Sequence, residues 1–261
     1  MSNHQFRLAY LFAVALLVVI AVSFMQAIPQ DTAYHDFIDK RTLYAIPNFW
    51  NVASNIVFVI VGLLGIVQLA VRQPVTGGLP ELRTVYLVFF IGVFFTGFGS
   101  AYYHLDPSNA TLVWDRLPMT LAFMAFFSMI VGEYLSPGVG RALLWPLLLV
   151  GILSIMYWYM TERAGHGDLR PYALVQFLPM LLIPMILLMF RGRLNGSLYL
   201  WAMIAAYVVS KIAEYFDADI FSAAGVLSGH GIKHIVAAVG TLFILLALRR
   251  RRIRVSEHNK F

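Results

Sequence analysis

VYLVFFIGVFFTGFGSAYYH, residues 85–104, runs for 20 residues without a charged side chain before its closing histidine. A helix needs roughly 20 apolar residues to cross the hydrocarbon core of a bilayer, and this stretch supplies them. Seven further stretches read the same way: residues 8–28, 50–71, 117–135, 142–160, 172–190, 198–216 and 229–248. The connections are short, and no soluble domain fits between them. The predicted fold is all-α, a polytopic transmembrane helical bundle with seven core helices and one extra N-terminal helix. Residues 1–33 hold the extra helix and the start of an outer loop. Residues 34–248 form the seven-helix membrane domain, and residues 249–261 a basic cytoplasmic tail.

Composition agrees. The 261 residues are 60% hydrophobic and 12% charged, against about 25% charged in soluble domains. The net charge of +6 does not point to a nucleic-acid partner, because the basic residues sit in short loops and in the tail. There they report topology. With the N-terminus in the cytoplasm, the inner segments hold Arg7, Arg72, Arg83, Arg141, Arg191, Arg193, five arginines between Arg249 and Arg254, and Lys260. The outer segments hold Lys40, Arg41, Arg116, Arg163 and Arg170. This bias predicts a multi-pass protein with a cytoplasmic C-terminus. The first span has a rival reading as a secretory signal peptide. Its apolar run exceeds the usual 7–15 residues and no A-x-A site follows it, which favours an uncleaved helix. Both readings leave the residues after Ile28 outside.

In that topology the ionisable residues of interest all reach the outer side. His104 closes one span, Asp115 opens the next, and His230 and His234 open the last. Ionisable groups at membrane depth are costly and are functional candidates by default. There is no cysteine, so a zinc site must use His, Asp or Glu. His230 and His234, four residues apart, share one helix face and can bind one metal ion, as HxxxH pairs do in metalloproteases. His104 is the candidate third ligand, which leaves an open fourth position for water. Ser100 lies one turn before His104 and faces the same way. Asp115 is placed to orient the water or accept its proton. Each residue alone has a plainer reading: His104 as an interfacial group, Ser100 as a packing residue beside Gly97 and Gly99, Asp115 as an N-cap. The joint pattern favours chemistry.

At these residues the chain resembles the alkaline ceramidases, part of a superfamily of membrane hydrolases that includes the adiponectin receptors. The shared pattern is Ser100, His104, Asp115, then the late pair His230 and His234. The WN-x-x-SN segment (Trp50, Asn51, Ser54, Asn55) and the LPM run at residues 117–119 fit the ceramidase branch. The resemblance covers roughly residues 34–248. It implies Zn2+ on His104, His230 and His234, Ser100 near the oxyanion, Asp115 handling the proton, and a membrane lipid substrate of the ceramide class. It also raises a Ca2+ site, which eukaryotic relatives build from an acidic segment and a Glu before FWN. Here Asn48 stands at that Glu position, and Asp36 and Asp39 are the available oxygen ligands. Solvation of an outer loop is the competing reading of these acids.

Lys211 and Glu214, three apart, are expected to pair along their helix. Asp217 is a candidate acceptor for the free N–H of a ligand imidazole, and Lys233 is expected to snorkel to the interface. His166, Asp168 and Arg170 read as a solvated outer loop. The expected activity is zinc-dependent hydrolysis of the amide bond of ceramide-like N-acyl lipids. A receptor-like member without efficient hydrolysis and a carrier are the alternatives. Against the carrier, the polar groups cluster at one rim, and no inverted repeat or pair of broken helices points to a midplane site.

Overall fold

The computed structural model describes residues 2–71 and 77–254. Arg72, Lys260 and the last residues of the basic tail lie outside them. Among the described residues the chain forms ten α-helices: α1 (Asn3–Ser23), α2 (Phe49–Ala53), α3 (Ile56–Val71), α4 (Arg83–Leu105), α5 (Asn109–Tyr134), α6 (Pro137–Arg163), α7 (Arg170–Met189), α8 (Leu198–Tyr215), α9 (Asp217–Ala224) and α10 (Gly229–Arg250). Among these residues seven segments are long and apolar enough to cross a membrane, α2 and α3 counting as one. The chain is thus an integral multi-pass membrane protein. The eighth expected span, α8, is not among these seven. Its 18 residues include Lys211 and Glu214, which lower its apolarity, and it joins the bundle by packing along α10.

Two helices begin earlier than their apolar runs suggest. α5 starts at Asn109, ahead of the expected residue 117. Ser108 caps it: its hydroxyl accepts from Thr111 N–H, and its own N–H donates to Thr111 Oγ1. This reciprocal pair is a capping box. α6 starts at Pro137, whose fixed φ and missing N–H suit a first helical turn.

Helices α3, α4, α5 and α6 pack in sequence, and α10 lies between α3 and α8. Small residues permit the closest approaches. A methyl at Gly99 of α4 would collide with the Trp114 carbonyl of α5, and one at Gly229 of α10 would strike the Ala213 carbonyl of α8. α7 rests on α5 and α6, and α1 leans on α7 from outside. Much of α1 is exposed, Phe12 and Leu17 included, as suits a helix facing lipid. Helices α7 and α8 are not closely packed; a hydrogen bond from Gln176 Nε2 to Tyr207 Oη, 3.2 Å, crosses the seam between them.

The two ends of the bundle differ. At one end, Glu133 and Arg251 form a buried double hydrogen bond of 2.7 Å in each arm, and Tyr86 Oη donates to Glu133 Oε1. At the other, residues 24–48 fold over the helix ends. There Phe37, Tyr103, Leu112, Ile155, Trp158 and Tyr172 make a second apolar cluster. The histidines lie at this end.

Candidate metal centre

His104 sits in the last turn of α4, and His230 and His234 in the first two turns of α10. Each offers one ring nitrogen, and the three lie within 4.8 Å of one another. His104 Nε2 is 3.3 Å from Nε2 of both His230 and His234. Two imidazole nitrogens bound 2.0–2.1 Å from one tetrahedral zinc stand roughly 3.3 Å apart. Spacing, donor chemistry and burial therefore fit a three-histidine metal ion with one position open. Among the described residues no other cluster of three or more His, Asp or Glu side chains with this geometry occurs.

The histidines are fixed by their surroundings, although His104 Nδ1 is buried without a hydrogen-bond partner among the described residues. Ser54, the residue closing α2, places its hydroxyl 2.8 Å from His234 Nδ1. Asn48 donates to the His104 carbonyl at 2.9 Å. Phe37 lies with its ring centroid 4.6 Å from His104 and 4.7 Å from His230, covering the pair. The start of α10 is fixed twice: the Ser228 hydroxyl accepts from Gly231 N–H, and Asp217 Oδ1 accepts from His230 N–H at 2.7 Å. Asp217 thus meets the candidate ligand through backbone N–H, not through the imidazole.

Lys233 departs from expectation. It does not snorkel outward: its ammonium lies 2.7 Å from Glu214 Oε1 and 3.1 Å from His230 Nε2. Glu214 also takes Lys211 at 2.7 Å, so the expected pair is a triad. The reason is depth. Lys233 lies one turn into α10, and a carboxylate within reach stabilises the ammonium more than bending toward the interface does. A metal ion on His230 Nε2 would leave Lys233 to Glu214.

The Asp115 carboxylate lies beside the Ser100 hydroxyl. Since α5 starts at Asn109, Asp115 is two turns inside the helix and has no capping role. Both residues, with His234 and Lys233, line a cavity of about 780 Å³. Its remaining wall is largely apolar and includes Phe58, Phe89, Val93, Phe123, Phe126 and Met203. Tyr34 closes the outer part. Burial, with Glu214 adding to it, pushes its phenol up to about 12, so it remains a hydrogen-bond donor.

Two of the three calcium candidates are paired with cations. Asp36 pairs with Lys40 on the surface. Both Asp39 oxygens accept from Arg41, at 2.8 and 2.7 Å. Burial works against the Asp39 carboxylate, yet these bonds hold it below the ordinary carboxylate range. Asn48 holds His104. The two carboxylates are thus paired with side-chain cations.

Pattern reading missed two residues. His35 bridges Tyr103 Oη at 2.8 Å and Asn109 Oδ1 at 2.9 Å. Phe37 covers the histidines. Neither lies in a periodic segment, and no local signal marks them.

Residues 32–216 match the family model described as ceramidase. The chain belongs to the ceramidase family. Among curated proteins none matches it. The family match includes Ser54, Ser100, His104 and Asp115 and ends before His230 and His234, whose place beside His104 is a matter of geometry. Membership supports ceramide hydrolysis as the general activity of this ceramidase-family protein, in a membrane setting and on a lipid substrate.

Proposed function

We propose that this protein is a zinc amidohydrolase that cleaves a ceramide-like N-acyl lipid to a fatty acid and a sphingoid-type amine. The observation that carries this reading is the convergence of three imidazoles with a Ser100–Asp115 pair at the polar end of an apolar cavity. The distribution of Lys and Arg supports placing this end on the outer side of the membrane.

His104, His230 and His234 hold the metal. Zinc, when bound, supplies Lewis acidity toward a carbonyl and makes a water more acidic. Asp115 accepts the proton of the attacking water and returns it to the departing nitrogen. Ser100 donates to the oxygen on which negative charge develops, a contribution of about 2.7–4 kcal/mol per donor in soluble enzymes. The water oxygen ends in the fatty acid and the proton on the amine, so the hydrolysis balances. The acyl chain lies along the phenylalanine-lined part of the cavity. The loosely packed α7–α8 seam gives the lipid a sideways route from the bilayer.

The test is zinc content and ceramide turnover of the purified protein in detergent, beside a His230→Ala, His234→Ala double variant. A single zinc per chain, lost in the variant together with turnover, supports the reading. Well-folded protein that refuses zinc removes it and favours the carrier alternative.

A further inference from the structure

Three ionisable side chains line the cavity beside the histidines and have no role in the hydrolysis proposed above: Lys211 and Glu214 of α8, and Lys233 of α10. Lys211 Nζ lies 2.7 Å from Glu214 Oε2, and Lys233 Nζ lies 2.7 Å from Glu214 Oε1. The side chains of Lys211, Glu214 and Lys233 are 39%, 20% and 15% exposed, so none is sealed inside a helix contact. Lys233 Nζ also stands 3.1 Å from His230 Nε2, which sets the triad against the candidate metal centre. Asp115 is within electrostatic reach of Lys233 and Glu214. The triad and the Ser100–Asp115 pair therefore surround one space.

Packing of α8 on α10 does not require this triad. Lys211 already pairs with Glu214 along α8, three residues apart. The second lysine comes from another helix, and ionised groups within a membrane bundle are costly to keep. Apolar residues of similar volume often join helices as well as buried ion pairs do. What the triad offers is unused hydrogen-bonding capacity. An ammonium has three N–H donors, and a carboxylate has about four acceptor sites. Among the described residues each lysine directs one donor to Glu214, Lys233 turns another to His230, and the Glu214 carboxylate accepts from the two lysines alone. Donors and acceptors thus remain side by side. A hydroxyl, which both donates and accepts, fits such a set, whereas the Glu214 charge between the ammoniums repels an anion.

A sphingoid base carries hydroxyls on the carbons flanking the one that bears the amide nitrogen. With the amide at the histidines, those hydroxyls lie close beside it, where the triad stands. We propose that Lys211, Glu214 and Lys233 form the headgroup subsite, in which Glu214 accepts from the sphingoid hydroxyls and the two ammoniums donate to them. The subsite selects ceramides over N-acyl amides whose amine carries no hydroxyl. This rests on the hydrolase reading in that the ligand is its substrate.

The experiment uses zinc-loaded full-length protein in detergent. Binding is measured for two sulfonamide analogues that resist hydrolysis, one of a ceramide and one of the same lipid lacking both hydroxyls. Cleavage is measured for the two parent amides. In the wild type the hydroxylated analogue should bind about tenfold or more tightly than its deoxy counterpart, the scale of hydrogen bonds to charged groups. Glu214→Gln should bring that ratio close to one. Lys211→Met removes a cation that does not touch the histidines, and it should lower the ratio by about threefold. The ratio of kcat/KM for the two amides should fall in parallel. A variant that folds poorly or loses zinc weakens both ligands and leaves the ratio intact, so a lost ratio is specific. Equal binding of the two analogues by the wild type overturns the proposal, and so does a ratio that survives both substitutions. Ceramide cleavage without any preference for the hydroxyls leaves the hydrolase reading standing and removes the subsite. If the ratio behaves as expected but neither amide is cleaved, the hydroxyl subsite stands and the hydrolase reading alone falls.

Discussion

The Ser54 hydroxyl lies 2.8 Å from His234 Nδ1, which ties the turn between α2 and α3 to the HxxxH face of α10. This contact gives the WN-x-x-SN segment a physical role. Asn51 donates from Nδ2 to the Asp39 carbonyl, and Asn55 from Nδ2 to the Asn51 carbonyl at 2.7 Å. The segment is thus a buried hydrogen-bonded brace that aims one serine at a ligand imidazole. With Nδ1 engaged, His234 presents Nε2 to the centre.

Ser54→Ala should therefore weaken zinc without unfolding the protein. Loss of an outer partner of a ligand histidine costs about 10–100-fold in metal affinity. Competition against a chelator of known affinity would read this directly. Affinity equal to wild type would leave Ser54 a packing residue.

Asp115→Asn should reduce amide hydrolysis by about 10²–10⁴-fold, the usual scale of a general base, with zinc content unchanged. Thermal stability should move little, since Asp115 caps nothing. Single-turnover hydrolysis beside metal analysis separates the outcomes. Full activity would remove its proton-handling role, and lost zinc would make it a structural support of the centre.

How far this site was legible depends on how local its signals are. Uninterrupted apolar runs announce membrane helices, and a four-residue His spacing announces a shared face. His104, His230 and His234 met because the ends of α4 and α10 that carry them had to be at one depth. The start of α5 was less visible, because its capping box at Ser108 and Thr111 lies outside the apolar run. Lys233 was read from its own helix, whereas its position is decided by Glu214, 19 residues away in another. Phe37 and His35 lie in an aperiodic loop, where only the folded chain says what a side chain covers.

The opposite end of the bundle shows the same limit. Glu133 and Arg251 are 118 residues apart, each with a side chain 1% exposed, and nothing in the tail RRRRIR distinguishes Arg251 from its neighbours. Removing one partner of such a pair leaves a buried charge and costs about 3–5 kcal/mol. Glu133→Leu or Arg251→Met alone should lower the unfolding midpoint in detergent sharply, and the double variant should recover much of the loss. A double variant as unstable as the sum of the singles would show that the two residues act separately.

Asp168 offers a test of the loop between α6 and α7. Arg170 donates to both its oxygens, at 2.9 and 2.8 Å, and also reaches the Met25 carbonyl at 2.5 Å, so the pair fastens the start of α7 to the end of α1. These bonds, Arg170's side-chain bond foremost, hold the Asp168 carboxyl down at about 2, against about 3.9 in an unfolded chain. A folded value below the unfolded one contributes stability that is complete above about pH 4 and lost as pH falls toward 2. Asp168→Asn should thus be less stable than wild type at neutral pH, and the gap between their unfolding midpoints should close between about pH 4 and pH 2. A gap that stays constant across that window would mean that the Asp168 charge is not what holds the loop.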